Sequence, residues 1–198
     1  LTQAMVQFDQ PGAVQILDRA ARLPVGEGPA ISRLHQAATI AEDHMGDPER
    51  AISLLRTILK QAPANGPAIE RLSALFARND RVADLLALRK HELGLALQAA
   101  DHIRLRLDIA GLLGRLGDTA GRLQALRENL AEEPAHERSL EEIAALLTEQ
   151  GDHAELATVL EHEAEELSSR GDVARAASLF TRASEPECGL RIAMRSSA

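Results

Sequence analysis

The chain repeats itself. Sliding the 198-residue sequence against itself by 71 positions produces a register without gaps. Gly46-Asp47 falls on Gly117-Asp118, Leu55-Arg56 on Leu126-Arg127, and Leu59 on Leu130. Pro63-Ala64 meets Pro134-Ala135, Ala74-Leu75 meets Ala145-Leu146, and Ala83 and Leu85 meet Ala154 and Leu156. His91-Glu92 meets His162-Glu163, and Asp101 and Arg104 meet Asp172 and Arg175. Coincident Ala and Leu carry little weight in a chain this rich in both. Coincident Gly, Pro and His at one shift carry more, because such residues mark turns and helix ends. A long internal period restricts a chain to stacked copies of one supersecondary unit.

Each unit reads as four helices. Pro48 to Gln61 is the first: a proline is harmless in the first turn, and Pro63 prevents continuation. Ala51, Ile52, Leu55, Ile58 and Leu59 recur at helical spacing as one apolar stripe. The second is expected over 67–78 with Ile69, Leu72, Leu75 and Phe76 inward, ended by the turn signal Asn79-Asp80. The third covers 82–97 with Leu85, Leu88 and Leu95 inward. The fourth covers 101–116 with Leu105, Ile109, Leu112 and Leu116 aligned. The second unit predicts helices at 119–132, 137–149, 153–169 and 172–183. Upstream, Gly12 to Leu23 and Ala30 to Met45 complete a pair. After Pro186 the pattern weakens: 185–198 reads as a short terminal helix around Leu190, Ile192 and Met194, then a frayed tail. No segment shows the period-two alternation of a half-buried strand.

These helices must build their core from Ala and Leu. Hydrophobic residues are 45% of the chain but aromatics only 2%, namely Phe8, Phe76 and Phe180. A single amphipathic helix of 12–16 residues is marginal in water. Short turns make consecutive helices antiparallel neighbours, and each pair leaves an apolar edge for the next to cover. A closed four-helix bundle needs no internal repeat. The expected fold is therefore all-α: an α-solenoid of antiparallel helix pairs with about 10–12 helices. It is read as one array over residues 1–198, with units 46–116 and 117–187.

At these positions the chain resembles the tetratricopeptide-repeat (TPR) family. Gly46-Asp47-Pro48-Glu49-Arg50-Ala51-Ile52, followed by Leu55, Ile58 and Pro63, is similar to the second helix of such a repeat. Ala68 to Asp80 is similar to the first helix of the next, with Leu72 at its packing position and Phe76 near the usual aromatic. The likeness spans about Val14 to Ala183. Trp and Tyr packing residues are absent, Arg122 stands where a small residue is expected, and repeat lengths alternate between roughly 33 and 38. The resemblance implies a right-handed superhelix that acts as a protein-interaction scaffold, with a concave groove lined by the first helix of each pair.

Little in the sequence supports catalysis or a cofactor. His91-Glu92 and His162-Glu163 begin like a zinc-protease helix, but Leu95 and Glu166 stand where the second histidine must share a face. Their repetition points to packing or a polar cap. The remaining histidines, His35, His44, His102, His136 and His153, read as ordinary surface or interfacial residues. Gly111, Gly114 and Gly117 lie in a helical stripe without the Lys-Ser/Thr ending of a phosphate loop; they read as small residues at a tight helix contact and one turn glycine. Cys188 is the one cysteine, which excludes an internal disulfide and a cysteine zinc cluster. No apolar run is long enough to span a membrane. Leu1 to Phe8 lacks the start of a signal peptide, so the expected location is the cytoplasm. The sequence begins without Met and is expected to belong to a longer repeat protein. Its 20 arginines against 2 lysines suggest a GC-rich bacterial genome.

Charge is uneven. Residues 50–127 carry 13 basic and 7 acidic groups, whereas 128–167 carry 1 and 13, a local net of −12 against −8 for the whole chain. Such a field attracts basic segments and repels nucleic acid and anionic lipid. The expected function is a non-catalytic scaffold for a protein or peptide partner of basic character. Its candidate binding residues are Glu70, Arg71, Arg78, Arg104, Arg115, Arg138, Glu141, Glu142 and Glu149. A sensory or regulatory domain that binds a peptide or small effector is the alternative. An RNA-binding array comes third: its support is the stripe Arg71, Arg78, Arg81, Arg89, Arg104, Arg106 and Arg115, without aromatic platforms for bases. The resemblance also generates a test. Chaperone-binding TPR domains grip a peptide carboxylate with Lys, Arg and Asn. At the matching first-helix positions stand Glu70, Ala74, Glu141 and Ala145, so no binding to an acidic chaperone tail is expected; micromolar affinity in calorimetry would overturn this.

Overall fold

The computed structural model describes residues 27–184, together with Gly12, Val14 to Ile16 and Arg19. The helical residues among Gly12–Arg19 belong to the segment expected to be helical over Gly12 to Leu23. The rest of that segment, the 185–198 tail and Cys188 lie outside the described residues. Every element among the described residues is a helix. In chain order these are α1 (Glu27–Thr39), continued by a π-helical turn (Ile40–His44), α2 (Pro48–Gln61), α3 (Gly66–Arg78) and α4 (Val82–Leu95). Then follow α5 (Ala99–Arg115), α6 (Thr119–Glu132), α7 (Glu137–Gln150), α8 (His153–Ser169) and α9 (Val173–Ser184). The chain divides into two compact units between Leu88 and Arg89, inside α4 rather than at the sequence repeat boundary.

Turn residues explain where the helices start and stop. Gly46 and Gly117, one period apart, hold φ of +61° and +75°. That left-handed geometry costs a glycine almost nothing and reverses the chain at a helix end. The next residues, Asp47 and Asp118, cap the following helices by accepting from the amides of Arg50 and Gly121 at 3.0 and 2.9 Å. Asn65 and Asp152 cap α3 and α8 in the same way, bonding Ala68 and Glu155. These contacts occupy amides that the first helical turn leaves without partners. At the far ends of α5, α7 and α8 the amides of Asp118, Asp152 and Asp172 reach back to Leu113, Leu147 and Leu167 carbonyls at 2.9 Å.

The first unit packs α1 on α2 and α2 on α3. Ala37, Ala38, Ala41, Ala51, Leu55, Ile58, Ala68, Leu75 and Phe76 fill its core. Five of these are alanines, which lets helices approach closely, with Phe76 as the one aromatic among them. The guanidinium groups of Arg56 and Arg81 sit 5.4 Å from the Phe76 ring centre, an arrangement that favours a cation on the ring face. In the second unit α5 packs on α6, α6 on α7, α7 on α8 and α8 on α9. Its core is Ile109, Leu126, Ile143, Leu147, Leu156 and Leu160. Within each unit, helices α1 to α3 and α5 to α9 thus cover the apolar stripes of their neighbours.

Two stripe expectations are corrected. Leu95, expected inward, is 38% exposed; Leu86 and Leu88 are the buried leucines of α4. Leu116 is 47% exposed, because it lies past the end of α5, where the chain turns at Gly117. The glycine reading is also adjusted. A Cβ on Gly111 meets open space, whereas one on Gly114 lies 3.5 Å from the Arg122 side chain. The core assignments give a direct test. Leu55, Phe76, Leu126 and Leu156 are at most 2% exposed, so truncating Leu126 or Leu156 to Ala should cost about 2–5 kcal/mol. Urea unfolding measures this, and a loss below about 1 kcal/mol at both sites contradicts the packing.

Candidate functional site

The sites that matter follow from which charges the fold uses up. In the first unit the π-helical turn after α1 presents Glu42 to α3. Its carboxylate takes Arg71 at 3.0 Å and Arg78 at 2.6 Å, and Arg71 also donates to Thr39 Oγ1 at 2.9 Å. Burial pushes the Glu42 carboxyl upward, but the two guanidinium bonds outweigh it and hold the group below its usual range. Asp84 follows the same balance between Arg81 and Arg56, and Arg81 also pairs with Glu49 at 2.5 Å. Two of the candidate cations, Arg71 and Arg78, are therefore already engaged. Glu70 stays exposed on α3 with Ala74 one turn on.

The second unit shows the same economy. Arg89 pairs with Glu92 and Asp108, Arg104 with Asp101 at 3.5 Å, and Arg106 with Glu128 and Glu132. The arginine stripe that would meet a nucleic-acid backbone is thus largely tied to carboxylates of its own chain. Arg115 is exposed at the end of α5.

Arg122, the departure from the small residue expected there, lies half-buried beside Gly114 and bonds Glu142 at 3.1 Å. Glu142 also meets Arg138 at 3.4 Å. Arg127 of α6 pairs with Glu155 of α8. Of the 13 acids in 128–167, Glu128, Glu132, Glu142 and Glu155 are answered by arginines, three of them contributed by the preceding basic stretch. The local net charge of −12 read from sequence therefore overstates the field at the surface.

What remains open is a row on α7. Glu137, Glu141, Ala145 and Glu149 are all exposed and follow one another at four-residue spacing. That spacing places them on one helix face, successive members about 6 Å apart along the axis. The opposite face, Leu140, Ile143, Ala144 and Leu147, is core. Candidate residues Glu141 and Glu149 therefore share a surface, while Glu142 and Arg138 form the ion pair at its side.

A second feature was not anticipated. Between α6 and α8 lies a groove of about 560 Å³, whose walls include Leu130, Ala131, Pro134, Val159 and Glu163. Glu163 is 4% exposed and accepts the Ala135 amide at 2.7 Å. Ala135 holds φ of +52°, unusual for a residue with a side chain, and its carbonyl accepts from Arg175 at 3.0 Å. The expected polar cap in the His-Glu pair is present here, carried by the glutamate. Burial pushes the Glu163 carboxyl above its usual range, partly offset by the Ala135 amide.

Two histidines do more than sequence suggested. His136 caps α7: its Nδ1 accepts from the Ser139 amide at 3.3 Å and faces Ser139 Oγ at 2.9 Å, and the Ser139 Oγ accepts from Asn129 Nδ2 at 3.1 Å. Asn129 also donates to the Ile103 carbonyl at 3.2 Å. Ser139 is fully buried, so this serine–histidine contact serves helix capping and inter-helix bonding. Among the described residues no group of three or more His, Cys, Asp or Glu side chains could hold a metal ion. No described helix is long and apolar enough to cross a membrane.

No protein-family model matches the chain, and no curated protein does. Among solved structures it is similar to MamA, at 13% identity over 96% of this chain and 91% of that one, with a TM-score of 0.44. It is similar to a tetratricopeptide repeat protein from Parabacteroides merdae ATCC 43184, at 18% identity over 79% and 60% of the two chains, TM-score 0.47. It is also similar to YrrB, described as a TPR protein with an unusual peptide-binding site, at 12% identity over 81% of each chain, TM-score 0.44. The TPR-like character of the chain stands on its own helix hairpins, their 71-residue period and the turn residues between them.

His102 yields a pH prediction. Its Nε2 faces the Ala96 carbonyl at 3.1 Å and its Nδ1 faces Glu132 at 3.0 Å. Two acceptors favour the doubly protonated ring, and the Ala96 carbonyl followed by Glu132 raises its pKa above the ordinary 6.5. A raised histidine pKa contributes stability that is fully present below the unfolded value and is lost as pH rises through the folded value. The melting-temperature gap between the native chain and His102→Gln should shrink as pH rises from about 6.5 through the higher folded-state pKa of His102. NMR titration should place the His102 pKa above 6.5, and Glu132→Gln should lower it; a constant gap with an unshifted pKa contradicts the geometry.

Proposed function

We propose that this chain is a non-catalytic protein-interaction scaffold that receives a basic segment of a partner protein on its second unit. The observation that carries this reading is the α7 row Glu137, Glu141, Ala145 and Glu149, exposed and aligned on one face. The fold answers other acids with arginines and leaves Glu141 and Glu149 without ion-pair partners among the described residues. Ala145 adds a small apolar patch between them. Charge at such a surface speeds encounter and selects the partner, while affinity comes from apolar anchors. Glu70 and Ala74 occupy the corresponding places on α3, and the reading takes residues 1–198 as one cytoplasmic repeat array. The engaged state of Arg71, Arg78 and Arg106 supports a protein partner over RNA.

Crosslinking in a lysate of the source organism identifies the partner; stopped-flow kinetics then tests the surface. Binding should weaken markedly as salt rises from about 50 to 500 mM, because exposed charges are then strongly screened. Glu141→Gln with Glu149→Gln should slow association several-fold while the helical circular dichroism spectrum is unchanged. Salt-insensitive association, or full association rate in the double variant, contradicts the proposal.

A further inference from the structure

The α6–α8 groove is chemically unlike the α7 row. Its walls combine Leu130, Ala131, Pro134 and Val159 with the carboxylates of Glu163 and Glu166. Its volume of about 560 Å³ is within the ~300–1,000 Å³ typical of ligand pockets. Glu163 is the decisive group. A carboxylate has about four acceptor positions, and among the described residues Glu163 fills one, with the Ala135 amide. Burial with so few donors raises the Glu163 pKa, and a cation or further donors meeting the carboxyl would favour its charged form. Arg127 is paired with Glu155. His162, Glu166 and Arg170 act on Glu163 through space, and the hydrogen bond at its carboxylate comes from Ala135.

We propose that the groove between α6 and α8 is an anchor pocket for one lysine or arginine side chain of a partner protein. The methylene stem would lie along Leu130, Ala131, Pro134 and Val159, and the cationic head would meet Glu163, with Glu166 as a second acceptor. Glu155 on the groove is already answered by Arg127, which leaves Glu163 and Glu166 as the carboxylates beside the apolar wall, with Arg170 near them. A wholly apolar side chain covers Glu163 without satisfying it. A long apolar stem ending in a cation matches both parts of the groove, as such side chains do where apolar and polar surface adjoin. The inference rests on the chain being a protein-binding scaffold, but it uses a different face from α7.

The test is NMR titration of the whole chain with Nα-acetyl-lysine methylamide and Nα-acetyl-arginine methylamide, using the norleucine analogue as the neutral control. Saturable shifts should appear on α6 and α8 for the cationic probes, with affinity at least about fivefold above norleucine. Glu163→Gln keeps an oxygen for the Ala135 amide and removes the charge; it should weaken the cationic probes about tenfold. Ala131→Phe, at an exposed position on the groove wall, should block them with Glu163 intact, which keeps the test valid if the Gln variant misfolds. Equal binding of norleucine, shifts scattered over the surface, or full binding in Ala131→Phe would overturn the pocket. Glu141→Gln with Glu149→Gln should leave these shifts unchanged. If the groove fails while partner binding stays salt-sensitive through α7, the scaffold reading survives without it; if the α7 double variant abolishes the probe shifts, the probes report surface charge and the pocket is wrong.

Discussion

A helix of three or four turns cannot hide its apolar stripe by itself, and that constraint organises this protein. Every helix from α1 to α3 and from α5 to α9 packs against a sequence neighbour within its own unit. The core residues that make this possible are small or unbranched at Cβ: Ala37, Ala41, Ala51 and Ala68 in the first unit, Leu126, Leu147 and Leu160 in the second. Close approach replaces bulk. The caps at Asp47, Asn65, Asp118 and Asp152 follow from the same geometry, because short helices have many ends and each end leaves amides to satisfy.

Charges obey a similar neighbour rule. Arg106, Arg122 and Arg127 belong to the basic stretch of the sequence, yet their carboxylates come from the acidic stretch that follows. In an array, residues about 15–30 positions apart face one another across adjacent helices. Opposite charge in successive segments therefore becomes internal pairing, and the surface field is what pairing leaves behind. The α7 row and the Glu163 groove are two such remainders. They are also chemically distinct: one is solvated and acidic, the other is a buried carboxylate among apolar walls.

Much of the fold was legible because helix ends are written in turn chemistry. The bounds of α2, α6 and α8 agree with those read from Pro48, Gly117-Asp118 and the 71-residue register. Leu95 and Leu116 misled because periodicity says which residues share a stripe, while exposure depends on where the neighbouring helix or the next turn begins. The candidate residues lie on α3, α5 and α7, but their engagement was hidden. Nothing in the sequence around Arg71 announces that the π-helical turn places Glu42 against it. Glu163 was visible only as a repeated His-Glu pair; its contact with a left-handed Ala135 is a tertiary fact across 28 residues. Arg122 stands where the repeat pattern expects a small residue, and Glu142 on the next helix is the physical reason it is tolerated.

The central claim is that the exposed acidic surface of the second unit is where a partner protein docks. Hydrogen exchange of the chain, free and bound to the partner recovered by crosslinking, tests it most directly. Slowed exchange should concentrate in 137–166, across α7 and α8, with α2 and α3 unchanged. A footprint confined to residues 71–115, around the arginine stripe, would contradict it.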